Sequence, residues 1–141
     1  MPQPSSNALR IALTIEIRTD PFPPNDQMNF LWAVAWGEPT PRDFSGILSH
    51  SLGHVGAYDG EQLIGFVNVA WDGGIHAFIL DTCVHPAKRR LGIATRLVKA
   101  AETLARERGA LWLHVDFEGH LAAFYRNCGF GETQAGLMKL G

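Results

Sequence analysis

The stretch Val84-His-Pro-Ala-Lys-Arg-Arg-Leu-Gly-Ile-Ala-Thr-Arg-Leu97 decides how the chain folds. Ile93, Leu97, Ala101 and Leu104 recur at helical spacing, which predicts a helix from near Gly92 to about Arg108. A helix N-terminus is the positive end of its dipole and favours acidic side chains. Lys88, Arg89 and Arg90 stand at that end instead, with no acid among them. Three cations so placed imply a negative group that is not part of this chain.

Upstream of this stretch, Pro86 ends a strand, Ile75 to Val84, that returns from an Asp72-Gly73-Gly74 turn. Before it, His54–Asp59 and Gln62–Asp72 form a hairpin about Asp59-Gly60. Ile11 to Arg18 alternates and is rich in β-branched residues, which predicts a first strand, while residues 1–9 are polar and Pro-containing and read as a frayed end. Pro23-Pro24 breaks the chain. Asn25 or Asp26 then caps a helix to about Trp36, and Asp43 caps a shorter one over Phe44–Ser51.

Downstream, Gly109 closes the long helix, Leu111 to Phe117 alternates as a strand, Leu121 to Asn127 is a short helix, and Gly136–Leu140 reads as a last strand. The predicted order is β-α-α-β-β-β-α-β-α-β. A meander running into a β-α-β crossover makes an α/β fold with one mixed sheet and helices on both faces.

At 141 residues, the chain is expected to be one domain, 1–141, with a real core. It is 46% hydrophobic and 18% charged, as soluble globular proteins are. No apolar run is long enough to span a bilayer, and the N-terminus lacks the regions of a secretory signal. Two cysteines make no disulfide framework, so a reducing cytoplasm is expected. A net charge of −2 and a pI near 6.3 argue against general nucleic-acid binding. The Lys88–Arg90 cluster is therefore a local feature.

Arg89-x-x-Gly92-x-Ala94 lies between a strand and a helix. Glycine lets backbone approach a ligand, and a helix's first turn has unpaired N–H groups that can cradle a phosphate or pyrophosphate. Arg89 and Arg90 would add charge-assisted contacts. A solvated basic surface beside a glycine turn would give the same six residues. The loop is neither a nucleotide P-loop, lacking its Lys-Ser/Thr, nor a G-x-G-x-x-G loop.

In the order Val84-His-Pro-Ala-Lys-Arg-Arg-Leu-Gly-Ile-Ala94, then a strand, then Ala123-Phe-Tyr-Arg-Asn-Cys-Gly-Phe130, the chain resembles the GNAT superfamily of N-acetyltransferases. That family has a strand ending in V-x-P, then Q/R-x-x-G-x-G/A opening a long helix, then a Tyr-bearing helix before Gly-Phe. The resemblance covers nearly the whole chain, and residues 78–130 carry its specificity. It implies acetyl-CoA as co-substrate. The pyrophosphate would rest on the N–H groups of Arg90, Leu91, Gly92, Ile93, Ala94 and Thr95, with Arg89 beside it. The pantetheine arm would run along Thr82, Cys83 and Val84, where the fourth and fifth strands splay apart in this family. Tyr125 takes the position of the frequent general acid, and an N–H near Val84 that of the oxyanion donor. Many members have an Asn near Glu118, which is absent here. A homodimer is compatible with the family.

Acetyl transfer to an amine needs a proton removed, an oxyanion stabilised and a thiolate protonated. Asp81, inside the apolar run Phe78–Val84, is a candidate base whose pKa burial would raise; it could equally serve the backbone around it. Tyr125 could likewise be an amphipathic core residue. His114, Asp116, Glu118 and His120 crowd the end of the fifth strand, as a proton relay or as metal ligands without a spacing signature; no metal is expected. Phe30, Trp32, Trp36 and Phe44 at helical spacing are core or acceptor pocket. The expected activity is acetyl transfer from acetyl-CoA to a small-molecule or peptide primary amine in a ternary complex. The alternative is a non-catalytic acyl-CoA-binding or regulatory module on the same fold. Neither nucleic acid nor membrane is an expected partner.

Overall fold

The computed structural model describes residues 5–141. Five strands, β1 (Ile15–Thr19), β2 (Gly53–Asp59), β3 (Gln62–Trp71), β4 (His76–Val84) and β5 (Trp112–Val115), form one sheet in sequential order. The first four are antiparallel neighbours and β5 runs parallel to β4. Five helices accompany them: α1 (Ser6–Thr14), α2 (Asn25–Trp36), α3 (Ser45–His50), α4 (Ile93–Glu107) and α5 (Ala122–Asn127).

α4 is the crossover between β4 and β5, and it lies on one face of the sheet. Its Leu97, Ala101 and Leu104 bury against Val55, Val67, Val69 and Ile79. On the other face, Met28, Leu31 and Trp32 of α2 join Phe44, Leu48 and Phe66. Each such side chain, fully buried, contributes about 1.5–3 kcal/mol. The expected mixed α/β sheet with helices on both faces is what the chain forms.

Three local expectations differ. Residues 11–14 are helical, and the first strand starts at Ile15. The reason is the partner: Ile15 pairs with Asp59, the last residue of β2, so earlier residues have no ladder to join. They continue a helix capped by Ser5, whose hydroxyl accepts from Ala8 N–H at 3.1 Å, and Arg96 fixes its end by donating to Ala12 and Ile15 carbonyls at 3.0 and 2.8 Å. The frayed reading of residues 1–9 therefore gives way to helix from Ser6; its first four residues lie outside the described ones. Second, the tail over Gly136–Leu140 is not a strand; Leu137, Met138 and Leu140 are 80–91% exposed and no ladder reaches them. Third, α2 has no side-chain cap: Asn25 is already helical, and its Oδ1 accepts from Phe44 N–H at 2.9 Å, joining α2 to α3.

Candidate active site

The ladder between β4 and β5 is short. His76 to Ile79 pair with Trp112 to Val115, and the remaining length of β4, Leu80 to Val84, has no partner on that side. The two strands part at the point where a family member would splay. A break in the β3–β4 register falls at the same place: Leu80 opposes Asn68 and Cys83 opposes Phe66, so Asp81 and Thr82 together face Val67. This β-bulge re-aims side chains, and it puts Asp81 at φ +61, a left-handed conformation that Asp and Asn tolerate better than other side chains. The period-two alternation of a regular strand is therefore broken at Asp81. Asp81 is exposed at its edge, but partial desolvation by its surroundings raises its carboxyl pKa, opposed by the Arg42 guanidinium.

Beyond β4, a 3-10 turn over Pro86–Lys88 leads to the N-terminus of α4. Arg90 (φ +65) and Gly92 (φ +75) are left-handed, and nothing lies within 4 Å of where a Gly92 Cβ would be. The first helical hydrogen bond of α4 runs from Arg96 N–H to Gly92 carbonyl. Among the described residues, no acceptor takes the N–H groups of Arg90, Leu91, Gly92, Ile93, Ala94 or Thr95. Six consecutive unpaired amides at a helix N-terminus make an anion cradle. The three cations differ in their surroundings. Lys88 forms an ion pair with Asp59 at 2.9 Å, Arg89 reaches the Ala35 carbonyl at 3.5 Å, and Arg90 is exposed.

Tyr125 is 6% exposed, its ring stacked on Phe117 with centroids 4.8 Å apart and edge-on to Phe124 and Phe130. Burial pushes its phenol pKa up, while the nearby Thr82 hydroxyl opposes the rise. The two hydroxyls do not meet hydrogen-bond geometry, and Thr82 Oγ1 is buried without a partner. A buried hydroxyl left unpaired costs about 1–3 kcal/mol, so this one is suited to a ligand. Cys83 is buried; loss of solvent, with Asp81 nearby, pushes its thiol up to about 12, which disfavours the thiolate that a nucleophile needs.

These elements meet around one cleft of about 420 Å³. Thr82, Cys83, Val84, Arg89, Arg90, Gly92, Ile93, Ala94, Thr95 and Tyr125 line it. Leu91 turns instead toward the α4-side core, and Asp81 lies outside the lining, on the bulge next to it. Trp36, Lys88, Leu121 and Phe124 also line the cleft. Trp36 was legible only as one of four aromatics. Trp32 is 6% exposed and in the core, whereas Trp36 one turn on is 44% exposed. Leu121 stands four residues before Tyr125, a spacing that would have pointed to it, whereas nothing in the spacing marks Phe124.

The candidate relay dissolves into separate pairs. His114 Nε2 lies 2.8 Å from His76 Nδ1 and its ring stacks on Phe78, while His120 is near Glu118 at 3.5 Å. No three His, Cys, Asp or Glu side chains among the described residues gather around a common metal position. No helix among them is long and apolar enough to cross a membrane.

An aminoglycoside acetyltransferase from an uncultured soil metagenomic sample superposes with a TM-score of 0.76, covering 93% of this chain and 98% of that one; at 18% identity it shows the fold alone. A GNAT-family acetyltransferase of Streptococcus pneumoniae TIGR4 has a TM-score of 0.72 and 27% identity, covering 90% of this chain and 98% of that one. Mycothiol acetyltransferase of Mycobacterium ulcerans (strain Agy99) is 38% identical over 55 residues, which is 39% of this chain and 17% of that protein. The chain thus matches only about a sixth of the length of these curated relatives. The description of the Acetyltransferase (GNAT) family matches residues 12–130, from the end of α1 through Phe130. With the splayed strands, the bulge and the amide cradle all inside that span, the chain belongs to the GNAT acetyltransferase family.

Proposed function

We propose that the protein is an N-acetyltransferase that moves acetyl from acetyl-CoA directly to a primary amine, small molecule or peptide, in a ternary complex. The observation that carries this reading is the row of unpaired N–H groups from Arg90 to Thr95 at one end of a cleft whose other wall holds Tyr125. Acetyl-CoA supplies an activated thioester: the amine nitrogen bonds to its carbonyl carbon as the C–S bond breaks.

The residues then divide the work. The cradle and Arg89 hold the pyrophosphate, and the edge of β4 at Thr82, Cys83 and Val84, bare beyond the β5 ladder, pairs with the pantetheine arm. Thr82 Oγ1 gains its missing partner there. An N–H near Val84 receives the oxyanion. Tyr125, kept protonated by burial, gives its proton to the departing sulfur. Asp81, with its raised pKa, accepts a proton from the incoming ammonium. Free Cys83 and Cys128 fit a reducing cytoplasm.

The test is release of free thiol from acetyl-CoA in the presence of a panel of primary amines. Amine-dependent release supports transfer. Binding of acetyl-CoA with no release for any amine would favour a non-catalytic acyl-CoA-binding module.

A further inference from the structure

Among the described residues, the face of β4 and β5 turned away from α4 has its large apolar side chains exposed. Ala77 and Ile79 bury on the α4 side, so His76, Phe78 and Leu80 alternate onto the opposite side. In the parallel register Trp112 lies beside His76 and His114 beside Phe78. α2 and α3 end their cover at Phe66, Leu63 and Cys83. Phe78, Leu80 and Trp112 are left 36%, 41% and 63% exposed on neighbouring strands, ending at Asp81 and the cleft.

This face is built largely of ring and aliphatic surface. His114 stacks on Phe78 with centroids 4.6 Å apart and planes within 19°, and its Nε2 bonds His76 Nδ1 at 2.8 Å. The two imidazoles, the most polar groups of the patch, bond to each other through one nitrogen of each ring, although His114 stays exposed. A polyhydroxyl acceptor would find few partners here; a flat apolar one would find a preformed wall. Leu80 immediately precedes Asp81, so an occupant lying on Phe78 and Leu80 delivers its head group to the bulge.

From this continuity we infer that the exposed β4–β5 face is the acceptor seat and that it selects a primary amine carried on an aromatic or similarly flat apolar body. The inference rests on the acetyltransferase reading and adds the class of amine to it. The transfer forms the amide N–C bond and breaks the thioester C–S bond; Asp81 takes the ammonium's first proton and passes it to solvent, and the second proton lost from nitrogen replaces the one that Tyr125 gives to the CoA sulfur.

The experiment measures kcat/KM with acetyl-CoA for phenethylamine, ethanolamine, spermidine and glucosamine, on the parent chain and on Phe78→Ser and Leu80→Ser. Thermal unfolding with acetyl-CoA and the sedimentation coefficient are recorded beside it. The expected result is that phenethylamine is the best acceptor, and that either substitution lowers its kcat/KM about ten-fold more than that of ethanolamine, as loss of apolar contact to one substrate requires. A polar amine as best acceptor, equal losses for all four amines, or no turnover of phenethylamine while acetyl-CoA raises the unfolding temperature would overturn this inference and leave cofactor binding standing. A parent chain that sediments as a dimer, and as a monomer once Phe78 is Ser, would assign the face to a second copy and also overturn it. No effect of acetyl-CoA on unfolding would remove the acetyltransferase reading itself.

Discussion

Replacing Tyr125 with Phe separates packing from chemistry. The ring is held by Phe117, Phe124 and Phe130, all of which touch carbon that the substitution keeps. Thr82 Oγ1, the hydroxyl nearest to it, is already without a partner, so deleting the phenol oxygen orphans no other group. Stability should therefore change by less than about 1 kcal/mol in either direction. Turnover should not be spared. A positioned general acid contributes about 10²–10⁴-fold, or ~3–5 kcal/mol of barrier at 1.4 kcal/mol per decade. Burial raises the phenol's pKa, so the parent's rate should hold through neutral pH and fall only above the ordinary tyrosine value of about 10, and that alkaline limb should be missing from the variant. Thiol release under saturating acetyl-CoA gives kcat, and urea unfolding gives stability. An unchanged kcat, or a loss of activity accompanied by more than about 2 kcal/mol of destabilisation, would refute the acid role.

Other positions give independent checks. Thr82→Val removes the unpaired hydroxyl, so the ligand-free chain should be unchanged or up to about 1 kcal/mol more stable, while calorimetric affinity for acetyl-CoA should fall. Asp81→Asn keeps a side chain that tolerates φ +61 and removes a carboxyl whose folded pKa is raised. Such a group costs the fold stability as pH rises from about 3.9 through the raised value, so the variant's advantage in urea should grow over that window, while kcat falls about a hundred-fold or more. His54 is fully buried, its Nε2 accepting from Phe22 N–H at 2.9 Å, and burial lowers its pKa against the pull of Asp20. Its contribution is present above the unfolded value of about 6.5 and lost as pH falls toward the folded one, so the urea midpoint should drop between pH 7 and 5; a flat midpoint would contradict the assignment.

The parts legible in the sequence are those where local pattern and tertiary partner agree. Ile93, Leu97, Ala101 and Leu104 announce α4, and Gly60 and Gly73, both at positive φ, mark the two hairpin turns. The basic run before α4 stood out because its charges oppose the helix dipole, and the amides of residues 90–95 beside it are unpaired. Errors came where a partner decides. Ile11 to Thr14 has strand-like residues, but β2 ends before it could pair with them. Gly136–Leu140 has strand-like residues and no ladder. At the site, the bulge is a two-against-one register between β3 and β4, invisible to a period-two reading, and it alone puts Asp81 and Thr82 where they are. Lys88 looked like one of three equivalent cations until folding brought Asp59, from a hairpin turn, to 2.9 Å.

Residues 90–95 are proposed to seat the pyrophosphate of acetyl-CoA. Thermal unfolding of the purified chain with acetyl-CoA, free CoA and ATP tests it most directly. A ligand that binds only the folded chain adds about 2.7 kcal/mol at a hundred times its dissociation constant, several degrees for a chain of this size. The account predicts that shift for both CoA species and little for ATP. An unfolding temperature that no acyl-CoA moves would contradict it, leaving Arg89 and Arg90 as surface charge on a GNAT fold that binds something else.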